Sequence, residues 1–579
     1  MKNSSVREEI EEKYSKNLAE YPELLRKLLF YRGIKTAEEA REFLNPDFSG
    51  NHNPFLMKDM DKAVERVFSA IEKKEKIVIY SDYDADGIPG AVVLHDLFKK
   101  ISDNLSAQGG PTFSWKSYIP HRVLEGFGLN DEAVDQFAKE KVDLIITIDC
   151  GIADIEEAKK IKKLGIGLII TDHHLPKEEL PEAVAVLDPK RADCKYPDKN
   201  ICGAGVIFKF VQAFLQKYGE RYGVKLGWEK WLLDMVGIAT VSDMVPLVGE
   251  NRLFAYYGLK VLRKSPRPGI QKLLSILKID QKNITEDDIG FMISPRINAA
   301  SRMGEPEDAF ILLSTKDEVE ADKMARHLDK INSERKGIVA QMVKEIRKHW
   351  NEKDPEKKRR VLVAGNPDWK PSLLGLVANS LLDDHNGPVF LWGREEGRTL
   401  KGSCRSDGCV DIVEMMKDTA HLFDEYGGHS ASGGFSVAFE KIDLLADGLE
   451  LAYEKLSIKS DSLKEIIADL VLDIDNVNYD LEKELARLAP FGMNNTKPIF
   501  AFQKVEIFGV RIFGKNNEHL ELLFKNKKGG KVSAIGFFTK PEDFGTKIAV
   551  GEKVDLLANI EKSTFRGRAE IRLRIVDIF

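Results

Sequence analysis

The stretch KIVIYSDYDADGIPGAVVLHDLF, residues 76–98, sets the reading of the whole chain. A β-branched apolar run, IVIY, leads into Asp82-Tyr-Asp84-Ala-Asp86-Gly87, and a helix-like AVVLHDLF follows. An apolar run without alternation, joined to a helix, is how a strand buried on both faces of a parallel sheet reads. A polar strand end with a helix cap would account for one or two aspartates. Three carboxylates within five residues repel one another unless a cation neutralises them, so Asp82, Asp84 and Asp86 read as metal ligands. An EF-hand is excluded: no glutamate stands at the twelfth loop position, and a strand rather than a helix leads in.

Three further runs share the pattern: VDLIITID (142–149), IGLIITD (166–172) and AVAVLD (183–188). Asp149 ends the first, and a Cys-Gly pair lets the backbone turn after it. Asp172-His173-His174 ends the second. The chain has only 11 histidines, so an adjacent pair at such a strand end stands apart from an ordinary buried ring. Asp243, in ATVSDMVPL, follows another apolar segment. Open α/β sheets bind ligands at the carboxyl ends of their strands. Several oxygen donors with one imidazole suit Mn²⁺ or Mg²⁺. This many carboxylates points to two divalent cations, which about 4 Å apart clamp the attacking and leaving oxygens of a phosphoryl displacement. Asp149, on a central strand, is the expected bridge. Hydrolysis of a phosphoester or phosphoanhydride is the reaction class.

The 579 residues correspond to roughly three to five domains. With 43% hydrophobic and 31% charged residues, the composition is that of a soluble globular protein. No apolar run approaches the roughly 18 residues that span a bilayer, and MKNSSVREEIEEKYSKN lacks a signal peptide's apolar core. No membrane partner is therefore expected. Five cysteines, an odd number without a C-x-x-C pair, fit a reducing cytosol, so a cytoplasmic location is expected. The net charge of −6 excludes a uniformly basic nucleic-acid binder, yet residues 501–579 carry 15 Lys and Arg against 10 Asp and Glu. A basic tail domain on an acidic body hints at a polyanionic partner.

The fold class expected is α/β, with a parallel-sheet domain, a second α/β domain joined to it by a long helix, and a C-terminal all-β barrel. Residues 1–60 read as an N-terminal helical segment and 61–255 as the parallel-sheet domain. Residues 256–350 form a helical connector ending in a helix near 318–350. Residues 351–460 carry the strands RVLVAG, PVFLWG and GGFSVAFE around a helix. In 461–579, short strands with Gly- and Lys-rich turns suggest an OB-like barrel.

The set SDYDADG (81–87), TIDCG (147–151), TDHH (171–174) and VSDMVPL (241–247) resembles the DHH phosphoesterase superfamily. SPRINAASRMGEP (294–306), LKGSCRS (400–406) and YGGHSASGGF (426–435) resemble one branch of it, the RecJ single-strand-specific exonucleases. The likeness runs from about 60 to 579. It implies metal ligation by Asp82, Asp84, Asp86, Asp149, His173 and Asp243, with Asp149 bridging. It gives His174 contact with the scissile phosphate and makes Asp172 orient its neighbours. Arg296 and Asn298 would contact phosphate. Ser403 and Arg405 would hold the 5′-terminal phosphate, and Gly427, Gly428 and His429 would form a substrate loop. Arg122 and Phe127 would touch DNA; the family often has tyrosine at the second position, and a phenyl ring stacks without donating a hydrogen bond. Ser81, Ile88-Pro89-Gly90, Ser301, Ser432 and Gly433 also depart from the usual pattern, and none removes a ligand.

The activity implied is 5′→3′ exonucleolytic hydrolysis of single-stranded DNA to mononucleotides by two metal ions, in recombination and repair. Single-stranded DNA is the implied partner, with a single-strand-binding protein and a helicase as family-level expectations; the chain is expected to act as a monomer. In the barrel, Phe500, Phe502, Phe508 and Phe513 are candidate stacking residues, although aromatics at period two more often form a core, and Arg511, Lys515, Arg566 and Arg568 are candidate cations. Two rivals are a DHH phosphodiesterase for short oligonucleotides or cyclic dinucleotides, and a non-catalytic DNA-binding scaffold. The first would not need the barrel, and the second would not need every carboxylate kept.

Overall fold

The strand that precedes Asp82 is the second of five in a parallel sheet. The computed structural model describes residues 4–110, 112–353, 359–385, 387–394, 400–456, 466–514, 517–563 and 570–579. They form two compact units, one built from 53–243 and 257–459 and the other from 1–52, 244–256 and 460–579.

In the first unit, β1 (Lys76–Ser81), β2 (Ser114–Tyr118), β3 (Leu144–Ile148), β4 (Gly167–Thr171) and β5 (Ala185–Leu187) run parallel in the order β2-β1-β3-β4-β5. One face packs on the helices Asp131–Lys139 and Ile155–Lys163 through Val78, Ile145, Ile170, Phe137 and Ile161. The other is covered by α1 (Gly87–Ala107) and α2 (Gly203–Tyr218). Glycine is needed where these meet: a Cβ on Gly90 would stand 2.7 Å from Ile148 Cγ2 and 3.3 Å from Ala204 Cα. Burial on both faces explains why β1 and β3 read as unbroken apolar runs. The edge strand β2, SWKSY, is only partly buried and shows no such run, so the sequence reading passes over it. Because all strands point one way, Asp82, Asp149, Asp172 and Asp188 each fall immediately after a strand, on one edge of the sheet.

Helix α3 (Leu233–Ser242) ends at Asp243, which is its C-cap. A π-helical turn, Ile289–Ile293, leads into α4 (Ser294–Met303), which packs on the 36-residue α5 (Glu318–Lys353). π-Turns inside helices recur at functional sites. Beyond α5 lies a mixed sheet of β6 (Leu362–Gly365), β7 (Val389–Arg394), β8 (Leu400–Arg405), β9 (Glu425–His429) and β10 (Ser432–Val437), ordered β9-β10-β8-β7-β6. Only β6 and β7 pair in parallel. Helix α6 (Pro371–His385) packs on β7 and β8.

In the second unit, β11 (Phe500–Phe513), β12 (His519–Lys525), β13 (Lys531–Phe537), β14 (Lys553–Ser563) and β15 (Glu570–Ile578) close into a barrel, β11-β12-β13-β15-β14, sealed by β14 pairing back to β11. Phe500 and Phe502 are fully buried in its core, so they cannot stack on bases; Phe508, 41% exposed, can. Its ring carries Lys525 Nζ at 3.5 Å. Arg511 is paired with Glu521. Lys515, Arg566 and Arg568 lie outside the described residues. The N-terminal helices Glu23–Phe30 and Ala37–Leu44 are not a separate preamble: Leu25, Leu28, Leu29 and Leu44 share one apolar core with Phe500, Phe502, Leu520 and Leu556. Arg32 pins them, donating to Asn495 Oδ1 at 2.8 Å and to the Thr496 carbonyl at 2.7 Å. Among the described residues no helix is long and apolar enough to cross a membrane.

Candidate metal centre

The acids at the strand ends converge. Donor atoms of Asp82, Asp84 and Asp149 lie within 4.8 Å of one another, as do those of Asp86, His173 and Asp243, and those of Asp149, His173 and His174. His173 Nε2 is 3.1 Å from Asp149 Oδ1 and 3.7 Å from both Asp86 Oδ2 and Asp243 Oδ2. Asp149 thus belongs to two donor sets. Its backbone is left-handed, φ 61°, a conformation rare outside glycine, and such strain clusters at functional sites. A Cβ on Gly203 would lie 2.5 Å from Asp149 Cβ, so only glycine lets α2 start this close.

The local chain holds each group in place. Asp84 Oδ1 accepts the Asp86 N–H at 2.7 Å and the Gly87 N–H at 3.2 Å. Asp86 caps α2, accepting the Gly203 and Ala204 N–H groups at 2.6 and 2.8 Å. Asp172 Oδ1 accepts the His173 N–H at 2.7 Å and pairs with His174 Nδ1 at 2.7 Å, while Oδ2 accepts the Ile152 N–H at 2.9 Å. It is fully engaged and orients the two histidines.

The donor set fits divalent cations. Asp82 Oδ1 is buried and accepts no hydrogen bond; Asp149 Oδ1 likewise accepts none, His173 Nε2 approaching it outside hydrogen-bond geometry. Burial, then the neighbouring carboxylates, push Asp82 and Asp149 well above the usual carboxylate range. The same causes take Asp86 to about 7 and Asp243 to about 8. Burial and the adjacent His174 lower His173 to about 3, leaving a neutral imidazole free to ligate. Burial works against a charge on His174, but the bond to Asp172 and the surrounding acids raise it to about 9. These acids and Asp172 favour its charged form in the cation-free site, where its side chain is 45% exposed.

Two sequence-predicted contacts flank this cluster. Phe127 meets the His174 ring edge-on at 5.5 Å, and Arg122 lies over the Tyr83 ring at 4.8 Å. Their loop is fixed by residues the sequence reading misses. Glu125 accepts from Tyr118 OH, from the His121 N–H at 2.6 Å and from Asn130 Nδ2 at 3.2 Å; Asp154 accepts the Leu129 N–H at 2.6 Å. Asp188 ends a strand in the same way but belongs to none of these donor sets; burial raises it to about 7, and its Oδ2 has no partner.

Asn298 Oδ1 accepts the Ala85 N–H at 2.9 Å, so α4 grips the acid loop directly. Arg296 points elsewhere: Asp329 accepts from it at 2.7 and 3.0 Å and the Met292 carbonyl at 2.7 Å. In the second sheet, Arg405 Nη1 donates to Ser403 Oγ at 3.0 Å and to the Cys404 carbonyl at 2.7 Å. Strand register aligns Ser403, Gly434 and Gly427 in one row and Arg405, Ser432 and His429 in another. Gly428, at φ 146° and with Ser432 O 2.3 Å from a Cβ position, is required by the fold. Gly427 is not: nothing lies within 4 Å of its Cβ position, which leaves open surface on an exposed edge strand.

Comparison with known proteins agrees with this layout. The DHH family, N-terminal domain, matches residues 76–240, the DHHA1 domain 358–455, and the RecJ OB domain 468–577. Fold and site together therefore place the chain in the DHH class. It is 33% identical over 556 residues to the single-stranded-DNA-specific exonuclease RecJ of Bacillus subtilis, covering 96% of this chain and 67% of the relative. It is 30% identical over 577 residues to that of Salmonella typhimurium, covering 97% and 96%. The crystal structure of RecJ from Thermus thermophilus in complex with Mn²⁺ superposes with a TM-score of 0.79 at 25% identity, over 100% of this chain and 79% of that one. The chain belongs to the RecJ family of single-stranded-DNA-specific exonucleases.

Proposed function

We propose that this protein hydrolyses single-stranded DNA from its 5′ end, releasing mononucleotides, in DNA recombination and repair. The observation that carries the reading is the position of Asp149, which is grouped with Asp82 and Asp84 and also lies 3.1 Å from His173 Nε2, itself grouped with Asp86 and Asp243. Asp82, Asp84 and Asp149 would hold one cation, and Asp86, Asp149, His173 and Asp243 the other. Mn²⁺ or Mg²⁺ bound there supplies Lewis-acid stabilisation of charge on the phosphoryl oxygens. His174, positively charged and held by Asp172, donates a hydrogen bond to the scissile phosphate. Arg122 and Phe127 line the approach, one for phosphate and one for a base. Asn298 keeps the acid loop in register. Arg296 buttresses α4 through Asp329, and phosphate contact would require it to exchange partners.

Ser403 and Arg405, with Gly427, Gly428 and His429 on the rows beside them, would receive the 5′-terminal phosphate. Arg405→Ala should cut the preference for 5′-phosphorylated over 5′-hydroxyl strands about tenfold or more, the scale of a charge-assisted hydrogen bond. Competition between the two substrates measures it, and an unchanged ratio places the pocket elsewhere. The barrel suits sequence-independent single-strand binding. Action as a monomer in the cytoplasm, alongside a single-strand-binding protein and a helicase, completes the proposal.

One assay tests it: 5′-phosphorylated single strands, duplex and RNA, each with Mn²⁺, Mg²⁺ or chelator. Mononucleotides are expected from the DNA single strand with either cation, with none from the duplex or under chelation. Equal cutting of single strand and duplex, or cutting in chelator, overturns the reading.

A further inference from the structure

The loop between β2 and the helix Asp131–Lys139 has an open tip on a closed base. At the tip, Leu124 and Phe127 are 71% and 50% exposed, and Phe127 stands between two left-handed glycines, Gly126 at φ 84° and Gly128 at φ 85°. A side chain between two such residues samples many directions if its flanks are free. These flanks are held. Glu125, just before Gly126, accepts from three donors: Tyr118 OH and Asn130 Nδ2 at Oε1, the latter at 3.2 Å, and the His121 N–H at Oε2, at 2.6 Å. The Glu125 N–H donates back to the His121 carbonyl at 2.9 Å, and His121 Nδ1 accepts the Val123 and Leu124 N–H groups at 3.2 Å each. Residues 121–125 are thus one closed turn, with Arg122 inside it.

The other flank is tied to the sheet. Tyr80 OH donates to the Gly128 carbonyl at 2.7 Å and accepts from Asn130 Nδ2 at 3.0 Å, and a Cβ on Gly128 would stand 2.5 Å from Asp154 Oδ2. Tyr80 is fully buried on β1, two residues before Asp82, and stacks on Tyr118 with ring centroids 5.4 Å apart. One strand therefore sets both an acid of the metal cluster and the base of this loop. Among the described residues, every hydrogen bond to the Glu125 carboxylate comes from Tyr118, His121 or Asn130, at the two feet of the loop. Both of its oxygens are needed as acceptors; glutamine would turn an N–H toward one of these donors.

We propose that Glu125 is a positioning residue for strand binding: it locks the loop so that Arg122 and Phe127 meet the incoming strand together, in fixed register with the metal centre. This rests on the exonuclease reading above. The ligand served is one nucleotide unit of single-stranded DNA, its phosphate on Arg122 and its base on Phe127. Holding the loop before the strand arrives lowers the ordering cost of binding, so the effect falls on affinity and leaves the chemical step alone.

The test uses the full chain with Mn²⁺ and a 5′-phosphorylated oligodeoxynucleotide. E125Q should raise KM about 10-fold or more with kcat within about threefold of wild type, and strand affinity in chelator should fall by about the same factor as KM rises. A mutant cycle separates positioning from a general loss of structure. In R122A/F127A protein, E125Q should cost less than about twofold, because nothing is left to position; in R405A protein its full cost should remain. A wild-type KM from E125Q, a loss confined to kcat, or a full cost retained in R122A/F127A protein overturns the proposal. Should E125Q not fold, Y118F decides. It keeps the carboxylate and removes one donor, and should raise KM about threefold, an effect that vanishes in R122A/F127A protein; a wild-type KM from Y118F overturns the proposal. Wild-type protein that leaves the strand uncut with Mn²⁺ overturns the exonuclease reading instead.

Discussion

Asp149→Asn should lower kcat for single-strand hydrolysis by about 10³-fold or more while the fold is retained. The substitution suits the site, since asparagine tolerates the left-handed backbone that Asp149 adopts. The side chain keeps its shape and loses the charge shared by the two donor sets, and several kcal/mol of transition-state stabilisation depend on that charge. Without cations the sign reverses for stability. Asp86 and Asp243 bind protons more tightly folded, at about 7 and about 8, than the ordinary carboxylate value of about 4 unfolded. The folded state therefore holds more protons across that window, and metal-free stability falls as pH rises from about 4 to about 8. Removing one repelling charge should make chelated Asp149→Asn melt above wild type at pH 8 and close to it at pH 4. Calorimetry with and without Mn²⁺ measures this, and near-normal turnover by the variant would remove the bridging assignment.

His174→Gln should cost about 10²- to 10³-fold in kcat, the range for removing one preorganised donor from a developing negative charge. The argument is geometric. Asp172 is saturated by Ile152, His173 and His174, so the imidazolium is held at Nδ1 and presents its other nitrogen outward. Glutamine can still donate a hydrogen bond, but carries no charge. Cation affinity should change little, because His173 and the acids supply the ligands; titration calorimetry separates the two. A large loss of Mn²⁺ binding with unchanged kcat would make His174 a ligand rather than a phosphate contact.

The strand-end acids were legible because parallel strands buried on both faces leave continuous apolar runs, and each run stops at its acid. Asp82, Asp149 and Asp172 follow from that alone. What the runs cannot say is which acids point together: Asp188 ends the fourth run as Asp149 ends the second, yet belongs to none of the three donor sets. Phe500 and Phe502 alternate along a strand as base-stacking residues would, and only barrel closure turns them inward. Arg302 lies inside a motif quoted from the sequence, but its bonding partner Ser372 lies on α6, seventy residues on, which local pattern does not reach. Strand β2 was lost because an edge strand needs no apolar run. The partnership of the first fifty residues with the barrel was lost for a different reason: it is non-local by more than four hundred residues.

That last partnership has a consequence for how the chain is made. The helix carrying Leu25, Leu28 and Leu29 leaves the ribosome long before Phe500 and Leu556 exist. At about 5–20 residues per second the interval is roughly 25–105 s, during which an apolar helix face waits for a barrel not yet translated. The leading end therefore completes its apolar core only when synthesis is nearly over. An N-terminal truncation, in turn, cuts into the lining of the distant barrel and does not trim a dispensable arm.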